Sequence, residues 1–230
     1  MKTRASTSWA LIAICATAAL AITGAGALAA VTVYENDFSS RAEYRNVANS
    51  GGGKRCDRNY REQSKAMVAS LSRGPATCSF RPPVSGDREL PNHEVRLDSK
   101  LLKRTDDSVR GGAFIEVSVR SGGGGGGYAL RVLPKRKRFA LLRSPGGSDF
   151  PVQGKSDAIE GINDRNQLRL IATGARVRAL VNGEEVATVS DPDPGQIAGR
   201  KMRFAVGNQK DKSGKVVATF KRVALAVPNP

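Results

Sequence analysis

The chain has 230 residues, of which 40% are hydrophobic and 25 are glycine. This is enough apolar material for one domain of about 200 residues with a packed core, whereas two full domains would be cramped. The formal net charge of +16 either attracts polyanions, such as acidic cell-wall polymers, anionic lipid or nucleic acid, or serves solubility alone. The basic residues are spread along the whole sequence, so the net charge does not identify a particular binding partner.

Residues 1–30 differ from the rest of the chain. Lys2 and Arg4 precede a long uncharged run, and Ala27-Leu28-Ala29 fits the A-x-A pattern of a signal-peptidase site. We expect cleavage there, and the alternative is an uncleaved membrane anchor, because an uncharged run of about 20 residues can span a bilayer. Both interpretations place residues 31–230, as one domain, outside the cytoplasm. Without Lys2 and Arg4 the remaining 35 basic residues against 21 acidic ones still give a net charge of +14.

Beyond this leader two cysteines remain, Cys56 and Cys78, while Cys15 belongs to the apolar leader. An even number of cysteines in an exported chain predicts a disulfide, and this one would close a loop of about 20 residues. The alternative is two free thiols.

The first segments after the leader mix strands with loops. "VTVYENDF" alternates like a strand, and "DFSS", Asp37 to Ser40, is assigned to an early strand. "KAMVASL", Lys65 to Leu71, fits either a strand or a helical turn. "HEVRLDSKLLKR" alternates at Val95, Leu97 and Ser99, which predicts a strand.

From Gly111 onward the alternation sharpens. "GAFIEVSVR", "YALRVLP" and "KRFALLR" predict three strands, and the six glycines between the first two predict a flexible hairpin loop. A phosphate-binding loop would instead need a following helix, and usually a Lys-Ser/Thr pair. "NQLRLIA", "ARVRALV" and "EEVATVS" follow, with turns at Thr173-Gly174 and Asn182-Gly183, the second of which favours the positive φ angles of a type I′ turn. "KMRFAVG" and "KVVATFKRVALAV" complete an all-β pattern of about a dozen mostly antiparallel strands, which suits a sandwich.

The order of these strands resembles the concanavalin A-like jelly rolls, and most closely the laminin-G-like and keto-sugar-hydrolase-like domains of secreted bacterial proteins. The residues that carry the resemblance are Asn166, Leu168, Gly174, Asn182, Gly183 and Asp191. They specify hairpins, so they indicate a fold rather than an activity. The resemblance implies a jelly-roll sandwich of two antiparallel sheets, in which sugars or proteins bind the concave sheet or the loops at its rim.

Glycoside hydrolysis requires two carboxylates about 5 to 9 Å apart. Glucanases of this fold place them along one strand as Glu-x-Asp-x-x-Glu, and the nearest match here begins at Glu116 but has Ser118 and Ser121 in the other positions. Only one acid remains, so no catalytic residue is predicted, and we expect Glu116 to pair with a neighbouring arginine.

The single histidine, His93, lies in "LPNHEV" without a serine motif or metal-ligand companion, so we expect a surface residue and neither a catalytic triad nor a zinc site. Asp106-Asp107 and Asp191-Asp193 offer oxygens for a calcium ion at a loop. They lack the ligand density of a dedicated calcium loop, and acids at such positions are more often turn formers. No cofactor is therefore predicted.

Aromatic platforms for sugars are few. The only tryptophan, Trp9, lies in the leader, which leaves Tyr34, Tyr44, Tyr60 and Tyr128. This scarcity counts against a lectin that depends on stacking, although lectins also bind through Asn, Asp and backbone groups.

Two groups of cations are candidate anion sites. Lys135 to Arg138, in "PKRKRF", form the densest basic patch and lie at a predicted hairpin, where either a solvated turn or a phosphate or uronate site is expected. Arg176 and Arg178 share a strand face, with Arg169 expected opposite them, an arrangement that is unfavourable unless an anion or acid lies between the charges. The full candidate binding set is Tyr128, Arg131, Lys135, Arg136, Lys137, Arg138, Arg169, Arg176 and Arg178.

Three functions are compatible with these features. The favoured one is an exported, non-catalytic module that binds envelope or extracellular glycans, including acidic ones. The second is a glycoside or keto-sugar hydrolase, and the third is a protein-binding structural component of the cell envelope. No nucleic-acid-binding pattern is present, and membrane contact is expected only through an uncleaved leader.

Overall fold

The computed structural model describes residues 30–51, 53–72, 74–83, 92–121, 127–144, 152–194, 201–209 and 213–227. The leader with its predicted cleavage site, and residues 122–126 of the glycine run, lie outside these ranges. Within them, no helix is long and apolar enough to cross a membrane.

Alternating apolar residues form fifteen strands in the described part of the chain. They are β1 (Val31–Asn36), β2 (Ala48–Asn49), β3 (Cys56–Arg61), β4 (Ala66–Leu71), β5 (Ala76–Arg81), β6 (Asn92–Leu101), β7 (Ala113–Ser121), β8 (Gly127–Leu133), β9 (Arg138–Ser144), β10 (Val152–Lys155), β11 (Asn166–Thr173), β12 (Arg176–Val181), β13 (Glu184–Ser190), β14 (Lys201–Asn208) and β15 (Val216–Val227). Two short helices, α1 (Arg41–Arg45) and α2 (Asp107–Arg110), lie in connections. The segment "KAMVASL", for which the sequence allows a strand or a helical turn, contains strand β4.

The strands form two antiparallel sheets. Sheet A has the order β13-β12-β11-β6-β15-β4-β3, and β1 also pairs with β15. Sheet B has the order β10-β9-β8-β7-β14-β5-β2. Every described pairing is antiparallel, so the prediction of an all-β sandwich with two antiparallel sheets is confirmed.

The predicted Asn-Gly hairpin connects β12 to β13. Asn182 has φ 51° and Gly183 has φ 89°, and these are the positive angles that a two-residue type I′ turn requires. The Asn182 carboxamide also accepts from the Gln167 N–H at 2.7 Å and donates to the Ala158 carbonyl at 2.7 Å. The turn is therefore anchored to the start of β11 and to the loop that precedes it.

The two sheets meet around a cluster of buried phenylalanines. The Phe204 ring centroid lies 4.9 Å from that of Phe220 and 5.4 Å from that of Phe80. These contacts join β14 and β5 of sheet B to β15 of sheet A, and burial of each side chain contributes about 1.5–3 kcal/mol. The predicted disulfide is confirmed and joins the same sheets, because Cys56 on β3 and Cys78 on β5 are bonded with a Cα–Cα distance of 5.5 Å.

The predicted strand at Asp37 to Ser40 is wrong, because β1 ends at Asn36. The Asn36 carboxamide accepts from the Phe38 N–H at 2.8 Å, and the Asp37 carboxylate accepts from the Ser39 N–H at 2.8 Å. These local bonds turn the chain away from the sheet. Ser40 then caps α1 together with Glu43.

A β-bulge in β15 determines which side chains reach the outer face of sheet A. The register shifts between Phe220 and Arg222, and Phe220 and Val223 both face the core although three positions separate them. The extra residue lets the chain return to its inward alternation after exposing Arg222. Arg222 consequently lies opposite Asp98 of β6.

Candidate functional site

The outer face of sheet A carries a row of arginines held by carboxylates that are almost covered. Glu94 on β6 has a side chain only 3% exposed. It accepts from Arg169 Nε at 2.8 Å and Nη2 at 2.7 Å, and from Arg96 Nε at 2.5 Å. Burial alone raises the pKa of Glu94, but the hydrogen bonds from Arg169 and Arg96 outweigh it, so this pKa lies below its usual value.

A second carboxylate continues the row four residues further along β6. Asp98, with a side chain 7% exposed, accepts from Arg165 Nη2 at 2.5 Å and from Gln167 Nε2 at 3.1 Å. Arg222, across from Asp98, is held from its other side by Glu35 of β1 at 2.8 Å. Four arginines and three carboxylates thus alternate across β1, β15, β6 and the start of β11.

These side chains surround a cleft of about 190 Å³. We name it the arginine cleft, and its lining residues are Arg96, Asp98, Gln167, Arg169 and Arg222. Guanidinium groups donate in a planar fork that matches a carboxylate. Asp98 adds a carboxylate acceptor and Gln167 adds an amide, and both groups can form hydrogen bonds with the hydroxyl groups of a ligand.

Of the three predicted arginines on this face, only Arg169 lines the cleft. The register places Arg169 opposite Leu180 and Arg178 opposite Ile171, so the expectation that Arg169 lies opposite Arg176 and Arg178 is wrong by two positions. Arg178 pairs with Glu185 at 2.6 Å, and Arg176 is exposed at the start of β12.

The predicted basic patch forms the tip of the β8–β9 hairpin. Pro134 to Arg136 form a 3-10 turn, and Lys137 follows with φ 48° and donates its N–H to the Pro134 carbonyl at 3.2 Å. Lys135, Arg136 and Lys137 are exposed. Arg138 instead begins β9, where it pairs with Leu133.

A second turn packs beside this hairpin. The Ser156 N–H donates to the Lys137 carbonyl at 3.1 Å, and Ile159, which closes the turn, is fully buried. The two turns enclose a cleft of about 480 Å³, named here the hairpin cleft, which is lined by Lys135, Arg136, Lys137, Lys155, Ser156 and Asp157.

Tyr128 does not form the exposed sugar platform that the sequence allows. It is 1% exposed, faces the interior, and donates its hydroxyl to Asp191 Oδ2 at 2.5 Å. Arg143 Nε donates to the same oxygen at 2.9 Å, and the Asp193 N–H donates to Oδ1 at 2.9 Å. Burial and the Asp191 carboxylate raise the pKa of Tyr128. Burial also raises that of Asp191, but the hydrogen bonds from Tyr128 and Arg143 outweigh this and leave it below its usual value.

The other tyrosines are partly buried near α1 and β3. The hydroxyl of Tyr44 donates to the Arg58 carbonyl at 2.8 Å, and that of Tyr60 donates to the Ser39 carbonyl at 3.1 Å. The hydroxyl of Tyr34 accepts from the Asn36 carboxamide at 3.1 Å.

His93 is buried, so the expectation of a surface histidine is wrong. Strand β6 begins one residue earlier, at Asn92, and the alternation that points Val95 and Leu97 inward does the same to His93. Its exposure is 1%, and neither ring nitrogen has a hydrogen-bond partner among the residues that the structure describes. Burial first, and then the nearby Arg120 charge, lower the pKa of His93 to about 4.

Glu116 pairs with an arginine, as predicted. It accepts from Arg131 Nε at 2.8 Å and Nη2 at 2.7 Å, and the Arg131 guanidinium lies 4.0 Å from the Phe114 ring centroid. Ser118 continues this face of β7, and Ala205 lies across from Glu116 on β14. The carboxylate of Glu116 therefore has no second acid at these positions.

Three of the four aspartates weighed for calcium have carboxylate contacts within the protein. Asp106 Oδ2 accepts from the Lys215 N–H at 2.7 Å, Asp107 pairs with Arg110, and both Asp191 oxygens are used as described above. Among the described residues, no three His, Cys, Asp or Glu side chains stand together as a metal site.

Sequence reasoning missed Glu94, Arg96, Asp98, Gln167 and Arg222. One signal in the sequence could have found this face. Glu94, Arg96 and Asp98 occupy every second position, which places charges of alternating sign along one outward face of a strand. The partners on β11 and β15 lie far away in the chain, and only the register of the sheet brings them there.

No protein-family model matches the sequence, and no curated protein matches it. Solved structures share the fold at low identity. A Bacillus subtilis protein of unknown function with a galectin-like fold superposes with TM-score 0.60 and 13% identity, covering 86% of this chain and 98% of its own. Carbohydrate binding module CBM66 from Bacillus subtilis gives TM-score 0.53 and 14% identity, covering 79% and 95%. The alginate lyase AlgAT5, of polysaccharide lyase family 7, gives TM-score 0.52 and 12% identity, covering 73% and 81%.

Identities of this size establish a common fold and leave the activity open. The predicted resemblance is confirmed at the level of the fold by these superpositions and by the two antiparallel sheets. The described part of the chain has a jelly-roll sandwich fold of two antiparallel sheets, similar to the fold of these solved structures.

Proposed function

We propose that this protein is an exported, non-catalytic carbohydrate-binding domain that holds acidic glycans in the arginine cleft. The observation that carries the proposal is the combination of three lining arginines with Asp98 and Gln167 on one sheet face. A uronate presents a carboxylate and ring hydroxyls together, and this lining offers a partner for each.

The arginines keep donors for a ligand after their contacts within the protein. Arg169 uses Nε and one Nη2 hydrogen for Glu94, and Arg96 uses Nε. A guanidinium has five N–H donors, so the remaining Nη donors of both residues are available to a carboxylate in the cleft.

The cleft is also pre-organised. Glu94 and Asp98 are almost buried and hold Arg96, Arg169 and Gln167 before any ligand arrives. Long flexible side chains otherwise cost about 0.5–1.5 kcal/mol each to immobilise on binding. The buried carboxylates therefore favour affinity by fixing the side chains in place, and the row of four arginines and three carboxylates keeps a net charge of +1.

The comparisons and the disulfide support a carbohydrate ligand outside the cytoplasm. Among the similar folds are a carbohydrate binding module and an alginate lyase, and a disulfide such as Cys56–Cys78 is typical of oxidising compartments. A binding role is favoured over hydrolysis because Glu116 is held by Arg131 and has no acid beside it on its strand face.

Calorimetric titration with an oligouronate tests the proposal, using the neutral oligosaccharide of equal length for comparison. We expect Arg222→Gln to weaken oligouronate binding by about tenfold or more, since a charge-assisted hydrogen bond contributes about 1.5–3 kcal/mol. Arg178→Gln is the matched control, because it removes the same charge from the same sheet face outside the cleft.

Three results would contradict the proposal. Equal weakening by the two variants would mean that diffuse charge attracts the glycan. Equal affinity for the neutral oligosaccharide would show that the carboxylates of the oligouronate do not contribute to binding. Release of new chain ends during incubation would make the protein an enzyme.

A further inference from the structure

We infer that the hairpin cleft is a second binding site, independent of the arginine cleft, and that it takes a phosphate or sulfate ester group. Four cations line it, namely Lys135, Arg136, Lys137 and Lys155, against the single carboxylate of Asp157.

The cations of this cleft lack the acids that accompany the arginines of sheet A. Lys137 Nζ lies 3.7 Å from Asp157, whose side chain is fully exposed, and such exposed pairs contribute little. In the described part of the chain Lys135, Arg136 and Lys155 have no ion pair. The local charge is therefore left for a ligand to neutralise.

Two unfavourable features meet at this place in the backbone. Lys137 adopts φ 48°, a left-handed conformation that is uncommon for a residue with a side chain. Arg138 and Lys155 lie directly opposite each other in the β9–β10 pair, where like charges destabilise a sheet. Lys155 lines the cleft, so an anion bound there offsets part of this repulsion.

The frame of the cleft is fixed by backbone bonds. The Lys137 N–H donates to Pro134, the Ser156 N–H donates to Lys137, and the Ala158 N–H donates to Ser156 Oγ at 3.1 Å. Both walls are thereby held together without help from the lysine side chains. The cationic side chains supply the charge of the cleft, and the backbone hydrogen bonds fix its shape. The lysines can therefore be replaced without loss of the turns.

The residue types select the class of anion. Three of the four cations are lysines, whose ammonium groups act as point charges and lack the planar arginine fork that binds a carboxylate or a phosphate through two parallel hydrogen bonds. A tetrahedral oxyanion accepts from several directions at once and suits such a ring of point charges. The volume of about 480 Å³ exceeds what one oxyanion fills, which leaves room for the sugar that carries the ester.

The test is an NMR titration of the full chain with glucose 6-phosphate, glucose 6-sulfate and glucuronate, following the amide signals of Lys137, Ser156 and Ala158. We expect saturable shifts at these amides with at least one of the two esters, and which ester binds identifies the source of the group. Glucuronate is expected to bind at least about tenfold more weakly here, a difference of 1.4 kcal/mol.

Lys135→Gln/Lys155→Gln should weaken ester binding by about tenfold or more. Lys54→Gln/Lys103→Gln, which neutralises two exposed lysines elsewhere, is the control and should change it less than twofold. Arg222→Gln should leave it unchanged, so a failure here is distinct from a failure of the arginine cleft. Equal loss in the control, glucuronate binding as tight as the esters, or the absence of saturable shifts would each overturn the inference.

Discussion

The buried His93 makes the stability of this protein depend on pH between about 4 and 6.5. Its pKa is lowered from 6.5 to about 4 in the folded protein, and it is the only histidine of the chain. Between these values the unfolded chain binds a proton that the folded protein does not. The free energy of unfolding therefore falls as the pH falls through this window, and no such loss occurs above about pH 6.5.

The size of the effect follows from the shift. A difference of about 2.5 pKa units, at 1.36 kcal/mol per unit, corresponds to a maximum of about 3 kcal/mol. Since the folded pKa is about 4, most of this, about 2.5 kcal/mol, is already lost at pH 4.5 relative to pH 7.5. Glu94 and Asp191, whose pKa values are also lowered, lose their contributions at more acidic pH.

Urea unfolding of the protein and of His93→Leu at pH 7.5 and 4.5 measures this loss. Leucine has no proton to gain, and the ring nitrogens it replaces have no hydrogen-bond partner. Between pH 7.5 and 4.5 we expect the unfolding free energy of the unmodified protein to fall by about 2.5 kcal/mol more than that of the variant. The carboxylates contribute equally to both proteins, so curves that stay parallel within about 0.5 kcal/mol would refute the reasoning.

Three further predictions concern the fold. Removing the disulfide with Cys56→Ala/Cys78→Ala should lower the free energy of unfolding by about 3 kcal/mol in urea titrations, from the entropy of the opened loop, and an unchanged midpoint would speak against this account. Gly207→Ala should lower it by about 1–3 kcal/mol, because its Cβ would clash with the Phe114 ring, and Phe114→Leu in the same chain should restore part of the loss. Gly183→Ala should cost about 1 kcal/mol in thermal unfolding, because φ is 89° there, and a neutral result would show that the turn relaxes.

The hairpins of the second half were predictable because their information is local. Asn182-Gly183 specifies its turn type, and the alternation on both sides of it sets which residues face inward. His93 was misplaced because an adjacent proline and asparagine suggested a loop, whereas pairing with β11 extends the strand to Asn92.

The arginine cleft was only partly predictable because it depends on contacts between distant parts of the chain. The sequence predicts Arg169 as a candidate because Arg176 and Arg178 lie on the same hairpin. Its carboxylate partner, Glu94, is 75 positions away in the chain. Arg222 reaches the cleft through a bulge, which period-two alternation does not predict. The sequence leaves Tyr128 as a possible sugar platform, because the partner that holds it in the interior, Asp191, lies in a loop 63 positions further on.

The last two strands have a consequence for how the polypeptide is made. Strand β15 lies between β6 on one side and β4 with β1 on the other, and β14 lies between β7 and β5. Neither layer can close until residues beyond position 200 have been synthesised, and pairing over such sequence distances is slow. A nascent chain therefore emerges from the ribosome without a complete sheet, and the export proposed above would act on this unfolded state.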